Sequence, residues 1–266
     1  MITLIMAVLI GGYASWWIGR DLQSPVWGIV CGFVIVLLVQ FAVSLLLRRG
    51  INRINQRIQE VMMAAQQRIS RQAQRFQQRP GGDPRRMQQL LEKEQADAIR
   101  QAIEITGEAR RYYKWNFMLK RQMQSMQMLL YFQLRDFEQV DKLMKHALIF
   151  DPRSIAVKMV RMYKHNDPKL DRFYRRKCRR IKGDDRALLA CTYAWMQLHQ
   201  DNPAGALQTL VEAKKVTDHP AVVENWDRLV NGKVKHFSNA ALGDSWYSLY
   251  LETPKIKQQR VQQRPF

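Results

Sequence analysis

Short breaks that contain Pro, Gly, Asn or Asp divide residues 85–251 into segments of about 12 to 20 residues. Four of the breaks place a polar residue directly before a proline, at Asp151-Pro152, Asp167-Pro168, Asn202-Pro203 and His219-Pro220. Proline cannot continue a helix, so each pair predicts a break between two helices. The segments between the breaks show no sustained alternation of apolar and polar residues, which disfavours strands. The pattern therefore predicts an all-α domain over residues 85–251.

The first fifty residues contain two uncharged apolar runs, over 1–19 and 26–47. A helix needs roughly 20 apolar residues to cross a bilayer, so the runs predict a transmembrane helical hairpin. Four arginines follow the second run, whereas the connection between the runs has no net charge: Arg48, Arg49, Arg53 and Arg57. By the positive-inside rule, this charge pattern predicts a bacterial-type inner-membrane protein with both termini in the cytoplasm. Four glycines would allow close packing of the two helices: Gly11, Gly12, Gly28 and Gly32.

A basic amphipathic helix is predicted over residues 48–79, after the second apolar run. Its apolar residues recur every three or four positions between Ile51 and Phe76, while Arg and Gln fill the other faces. We favour a juxtamembrane spacer that contacts anionic lipid. The competing interpretation is a parallel coiled coil that forms a homodimer through residues 51–76. The Pro- and Gly-rich residues 80–84 then predict a hinge.

The net charge of +20 is concentrated in three parts of the chain. Residues 48–86 have a net charge of +8, residues 172–182 of +7, and residues 252–266 of +3. The middle cluster forms a predicted basic patch without any acidic residue: Arg172, Arg175, Arg176, Lys177, Arg179, Arg180 and Lys182. A dense cationic patch binds polyanions without sequence preference, so anionic lipid, an acidic protein and nucleic acid are all candidate ligands. A solvated surface is the alternative. The tail, 252–266, is predicted to be disordered.

Residue patterns of catalytic and metal sites are not found in the sequence. The three cysteines and five histidines have no metal-ligand spacing. The carboxylates are too scattered to suggest an acid/base pair, and no glycine-rich phosphate loop is present. We therefore expect neither an enzyme nor a bound metal or cofactor.

The segment from Tyr131 to Pro152 resembles the second half of a tetratricopeptide repeat. It has an aromatic residue, a short turn and a packing series that ends in Ala-Leu-x-x-Asp-Pro, with these matching residues: Tyr131, Phe137, Val140, Met144, Ala147 and Pro152. The first helix of this repeat departs from the family at Gln124 and Met128, where Trp and Gly are usual. A second match begins near Leu188 and has its packing series at Ala206, Leu210 and Ala213.

The spacing of the two matches is also similar to that of the family. Ala147 and Ala213 are 66 residues apart, which is close to two repeats of 34 residues. The resemblance therefore implies a degenerate repeat between them, with helices near residues 154–165 and 168–181, and a truncated unit from residue 221. It covers residues 115–230 and implies a divergent array of stacked helix pairs.

Members of this family usually bind partners on the face formed by the first helix of each pair. The resemblance implies that this groove comprises Leu129, Phe132, Gln133, Leu188, Cys191, Trp195, Leu198 and His199. Because these residues are largely apolar, a docked peptide or helix is the expected partner. The alternative is that they pack against a neighbouring helix of the same domain.

These features together predict a membrane-anchored scaffold or adaptor that recruits protein partners at the cytoplasmic face of the inner membrane. The layout is similar to repeat proteins of bacterial envelope and polysaccharide-secretion complexes. The competing hypothesis is a membrane-tethered binder of RNA, DNA or ribosomes that uses the basic patch at 172–182.

Overall fold

The computed structural model describes residues 2–21, 25–77, 84–115 and 117–253. Helices, short 3₁₀ turns and loops make up these residues, and no strand occurs among them. The predicted all-α fold class is confirmed. The chain divides into two compact units, Met1–Leu148 and Ile149–Phe266.

The described residues of the first unit form five α-helices and a 3₁₀ turn, Glu108–Tyr112. The α-helices are α1 (Ile2–Asp21), α2 (Pro25–Gln77), α3 (Pro84–Gly107), α4 (Phe117–Gln133) and α5 (Phe137–Met144). Helix α2 packs against α1 with its first part and against α3 with its second part, and α4 packs against α3 and α5. Except for Pro84, which begins α3, the predicted hinge at 80–84 lies outside the described residues.

The two N-terminal apolar runs are helical, but they do not give the predicted spans. The second run forms the first part of α2, which has 53 residues. Among the described residues, no helix combines the length and the apolar character that a bilayer crossing requires. This finding overturns the transmembrane hairpin over 1–19 and 26–47 and the predicted inner-membrane location with both termini in the cytoplasm.

Two of the four predicted glycines allow α1 and α2 to approach closely. A Cβ atom on Gly11 would clash with the side chain of Val36 and would lie 2.9 Å from the carbonyl oxygen of Gly32. A Cβ atom on Gly32 would lie 2.8 Å from the carbonyl oxygen of Gly11. Gly12 has open space around it, and the surroundings of Gly28 lie outside the description. Only glycine therefore fits at this crossing without displacement of either helix.

The outward surface of this hairpin is apolar. Exposed side chains include those of Leu9, Trp16, Phe33, Leu38 and Phe41. Exposed apolar patches of more than a few hundred Å² are typical of surfaces that associate with other molecules.

The amphipathic stripe of α2 is covered by the same chain. Ile54 and Ile58 are buried in a core that includes Ile99 of α3 and Leu119 of α4. The ion pair from Arg57 to Glu108, at 3.0 Å, lies beside this core. The apolar stripe of α2 thus packs within one chain. The predicted homodimer through 51–76 would need the same apolar residues at its interface.

The second unit is built around α8. Its helices are α6 (Pro152–Lys164), α7 (Leu170–Cys178), α8 (Gly183–Leu198), α9 (Pro203–Lys214), α10 (Pro220–Val230) and α11 (Asp244–Tyr247). Helix α8 packs against α6, α7, α9 and α10, and all of its residues from 186 to 196 are buried. Helices pair in a repeat-like manner, with α4 on α5, α6 on α7 and α8 on α9. The helices expected near 154–165, 168–181 and from 221 are present as α6, α7 and α10.

The breaks seen in the sequence act as helix caps. The side chains of Asp151, Asn202 and His219 accept hydrogen bonds from the backbone N–H groups of Ser154, Gly205 and Ala221, and a proline follows each cap. An N-cap of this kind stabilises a helix by about 1 kcal/mol. Three turns between helices place a residue other than glycine at positive φ, namely Arg135, Asn166 and Asp201.

Candidate functional site

The predicted groove residues of the first unit pack partly into its interior. Phe132 is buried and contacts Phe137 edge-to-face, with ring centroids 5.7 Å apart. Leu129 and Gln133 are half-buried on the same helix. The described contacts thus give Phe132 a role in joining α4 to α5.

The predicted groove residues of the second unit are mostly occupied by the core. Cys191 is fully buried and Leu188 nearly so, and Leu198 packs against the same apolar core. His199 is exposed but stacks on Trp195, with ring centroids 3.6 Å apart. Helix α8 is central in this unit, so the face that the resemblance assigns to a partner is covered by helices of the same unit.

A C-terminal strap, which we define as residues 244–252, covers Trp195. Trp246 is fully buried and lies edge-to-face with Trp195, and Leu249 is also buried. The carboxylate of Glu252 accepts a hydrogen bond from Trp195 Nε1 at 2.6 Å and another from Trp246 Nε1 at 3.0 Å. Trp195 therefore packs within its own domain, which is the alternative to a partner-binding role in the groove.

The residues of the predicted basic patch lie on two sides of α7 and in the loop after it. All five arginines are exposed. Arg175 and Arg179 line a pocket, whereas Arg172, Arg176 and Arg180 are not among its lining residues and follow one another at intervals of four residues. Residues four apart lie on the same face of a helix. Lys182 is exposed at the N-cap of α8. We call Lys158, Arg172, Arg176, Lys177 and Arg180 the outer basic face.

Like charges crowd one another on the outer basic face. The pKa of Lys177 is lowered by burial and by the positive charges of Arg176, Lys158 and Arg180. The pKa of Lys158 is lowered by burial and by Arg176, against a smaller opposing effect of Asp167. A group whose neighbours are mainly of its own sign gains free energy when a counter-charge arrives. This surface is therefore poised to bind an anion.

Lys177 also connects the outer basic face to the start of the second unit. Its ammonium donates a hydrogen bond to the carbonyl oxygen of Ile149 at 2.6 Å and lies 5.0 Å from the ring centroid of Phe150. Phe150 is 66% exposed, so an apolar ring stands next to the cationic cluster.

A polar pocket of about 660 Å³ lies among α7, α8 and α9. Cationic, acidic, aromatic and amide side chains line it: Asp171, Tyr174, Arg175, Cys178, Arg179, Arg186, Tyr193, Gln197, Gln200, Asn202, Ala204, Gly205, Gln208, Thr209 and Glu212. A Cβ atom on Gly205 would lie 2.9 Å from Gln197 Nε2 and 2.5 Å from Asn202 Nδ2, so these two side-chain ends would have to shift. The pocket is large enough for a small organic ligand.

Arg186 is the buried cation of this pocket. Only 7% of the surface of Arg186 is exposed. Its Nε and Nη1 atoms nevertheless have no hydrogen-bond partner among the described residues. Its guanidinium lies 5.7 Å from the ring centroid of Tyr174. A buried charge without a hydrogen-bonded partner costs several kcal/mol, so its presence needs an explanation.

Two stacked tyrosines form one wall of the pocket. The rings of Tyr174 and Tyr193 are 4.0 Å apart between centroids and nearly parallel. Asp171 accepts hydrogen bonds from the Tyr193 hydroxyl at 2.7 Å and from Arg175 Nε at 3.1 Å. The Tyr174 hydroxyl is buried without a partner among the described residues, and burial raises its pKa. Tyr174 therefore stays protonated and can donate a hydrogen bond.

Sequence reasoning found the cationic patch but missed the pocket. Arg186, Ala190, Tyr193 and Gln197 recur on one face of α8 at intervals of four, three and four residues. Arg186 is a charged residue at a position that the helical period places on the buried face of α8. This position was the sequence signal that could have indicated the pocket.

The cysteines of the second unit are protonated near neutral pH. Burial raises the pKa of the Cys178 thiol to about 11, against the opposing effect of Arg186. Burial raises the pKa of Cys191 to about 12. Because the thiolate is the nucleophile, neither sulfur is an activated catalytic group.

We expect this burial to make the second unit sensitive to alkali. An unfolded thiol ionises near pH 9, so between pH 9 and 11 the folded state binds more protons, and the free energy of unfolding falls as pH rises. Cys178 alone should account for about 2 kcal/mol at pH 11. Urea unfolding at pH 7.5, 9 and 10.5 measures the effect, and Cys178→Ala should remove part of it. Equal unfolding free energies at all three pH values, or fast labelling of Cys178 at pH 7.5, would contradict it.

Comparison with known proteins adds no name to this site. No family model, curated protein or solved structure matches the chain. In the part of the chain that is described, no group of three or more His, Cys, Asp or Glu residues is placed to hold a metal ion.

Proposed function

We propose that this chain is an adaptor that binds an acidic segment of a partner protein on its outer basic face. The observation that carries the proposal is the crowding of Lys158, Arg176, Lys177 and Arg180. Burial is the main cause that lowers the pKa of Lys158 and Lys177, and repulsion by neighbouring positive charges lowers it further. Glu and Asp side chains of a bound segment would relieve this repulsion and form charge-assisted hydrogen bonds with the guanidinium groups.

An acidic protein segment fits this face better than a nucleic acid does. Binders of single strands present aromatic side chains on which bases stack. The two aromatics within the basic patch, Phe173 and Tyr174, are both buried. One face of the exposed Phe150 is already taken by Lys177. Phe150 and its neighbouring cations instead resemble a protein interface, where aromatic residues and arginine are enriched.

The adaptor role also draws support from the repeat-like packing of the helices. Stacked helix pairs present continuous surfaces to other proteins, and their loops and outer faces vary without disturbing the core. The predicted apolar groove is a weaker candidate in the second unit, since the C-terminal strap covers Trp195. We therefore propose the outer basic face, and not the groove, as the surface that binds the partner.

Charge reversal tests the proposal directly. We expect the triple variant Arg172→Glu, Arg176→Glu and Arg180→Glu to weaken binding of a fluorescein-labelled poly-glutamate peptide by roughly 100-fold at low salt, since three charge pairs are lost. Fluorescence anisotropy titrations at several salt concentrations measure the dissociation constant. The dependence of binding on salt should become shallower in the variant.

A matched variant separates a local site from the general effect of net charge. Arg153→Glu, Lys215→Glu and Lys235→Glu change the net charge by the same amount at exposed positions of the second unit. This control should keep most of the affinity. Equal losses in both variants would reject a defined site. Tighter binding of a single-stranded 20-nucleotide RNA or of phosphatidylserine vesicles than of the peptide would reject an acidic protein as the ligand.

A further inference from the structure

We propose that the acidic segment on the outer basic face carries a large apolar side chain that packs on the exposed ring of Phe150, an inference that rests on the function proposed above. Phe150 would then select among acidic segments. A segment of mixed acidic and apolar character would bind more tightly than a purely acidic one.

Phe150 is exposed at a place where an apolar residue is usually covered. Among the described residues of the second unit, it has the largest exposed fraction of any large apolar side chain, 66%. It directly precedes Asp151, the N-cap of α6. An apolar residue there commonly packs against the fourth residue of the helix, which in α6 is Ile155. Such a contact would leave two thirds of Phe150 exposed, so helix capping does not account for the ring.

Lys177 holds the ring in position. Its ammonium donates a hydrogen bond to the carbonyl oxygen of Ile149 at 2.6 Å and lies 5.0 Å from the ring centroid of Phe150, within the range of a cation–π contact. A lone exposed apolar side chain needs no explanation, but this ring is fixed by a buried part of a cationic cluster. Because the ring is held before a partner arrives, packing on it costs little conformational entropy.

The cations of the outer basic face lie close to the ring. Three of them act on the ammonium of Lys177 and reinforce burial in lowering its pKa: Lys158, Arg176 and Arg180. Since this ammonium also contacts Phe150, a segment with carboxylates on the arginines passes near the ring. An extended segment advances about 3.3 Å per residue, so a side chain a few residues from those carboxylates can reach it.

A segment of mixed character fits this surface better than either pure type. A purely acidic segment would leave the ring of Phe150 in water, and a purely apolar segment would leave the cations without counter-charges. Lys177 covers one face of the ring, so one face remains for a single apolar group. Successive bases of a nucleic acid would need several such rings.

Anisotropy titrations of the full chain with two fluorescein-labelled peptides test the assignment. Both peptides contain eight glutamates, and the central residue is phenylalanine in one and serine in the other. We expect the phenylalanine peptide to bind roughly tenfold more tightly, because it also buries the ring of Phe150. Phe150→Ala should remove this preference and leave the affinity for the serine peptide unchanged. Phe150→Leu keeps an apolar surface and should retain part of the preference.

Two further variants separate the possible outcomes. Val230→Ala shortens another exposed apolar side chain of the second unit and should keep the full preference. The triple variant Arg172→Glu, Arg176→Glu and Arg180→Glu should weaken binding of both peptides.

The results distinguish failure of the apolar contact from failure of the proposed function. If the triple variant weakens both peptides but Phe150→Ala keeps the preference, or the unaltered protein shows none, the apolar contact is rejected and the acidic partner stands. If the triple variant weakens neither peptide, the proposed function is rejected together with the apolar contact. Weaker binding of a 20-nucleotide oligouridine by Phe150→Ala, with the peptide preference unchanged, would assign the ring to a base and overturn the proposal.

Discussion

Replacement of Trp246 by alanine is expected to destabilise the second unit by about 3–5 kcal/mol. The side chain is fully buried, lies against Trp195 and donates its indole N–H to Glu252. Its removal leaves a cavity and unpairs one oxygen of the Glu252 carboxylate. A loss of this size is a large fraction of the stability of an ordinary domain. Urea unfolding followed by circular dichroism at 222 nm measures it.

The controls for Trp246 separate the cavity from the hydrogen bond. Glu252→Gln keeps the volume of the side chain but replaces one acceptor oxygen, so we expect a loss of about 1–2 kcal/mol. Phe150→Ala removes an exposed ring and should change stability by less than about 0.5 kcal/mol. If Trp246→Ala cost no more than Phe150→Ala, the C-terminal strap would not be part of the folded unit.

The helices of this protein could be predicted from local chemistry. Pairs such as Asp151-Pro152 and Asn202-Pro203 act through the nearest turn of backbone, so the sequence alone defines where helices α6 and α9 begin. The all-α fold class follows from the same signals. The helices expected between the two repeat matches are likewise present because their boundaries depend on breaks a few residues long.

The surfaces could not be predicted in the same way. Whether Trp195 faces a partner depends on where residues 244–252 pack, about 50 positions further along the chain. The apolar stripe of α2 similarly predicted an external contact, and its neighbour is α3 of the same chain. The transmembrane prediction was wrong, since no helix of the described residues has the length and the apolar character of a membrane span.

The pocket combines residues that no local pattern joins. Tyr174 comes from α7, Arg186 and Gln197 from α8, and Glu212 from α9. In a linear reading, Arg186 is one more arginine after a basic cluster. Its burial, and the lack of partners for two of its nitrogens among the described residues, are properties of the tertiary structure.

Simultaneous replacement of Ile54 and Ile58 by alanine is expected to destabilise the first unit by about 4–8 kcal/mol. Each buried isoleucine contributes about 2–4 kcal/mol when it is truncated, and the two side chains share a core with Ile99 and Leu119. Because the residues are neighbours, their effects need not add, and the single variants should be measured as well. Urea unfolding measures the loss, and hydrogen exchange at the α3 amides should accelerate. Met63→Ala is the control on α2, since its side chain is 58% exposed.

The same double variant separates an intramolecular core from a homodimer through 51–76. If Ile54 and Ile58 stabilise one chain, the unfolding free energy of the unaltered protein is independent of its concentration. If they join two chains, the transition shifts to higher urea as concentration rises, because association stabilises the folded state by mass action. Since α3 and α4 already bury both side chains, we expect no shift over a hundredfold range of concentration. A concentration-dependent transition that the double variant abolishes would show that the stripe has a second partner.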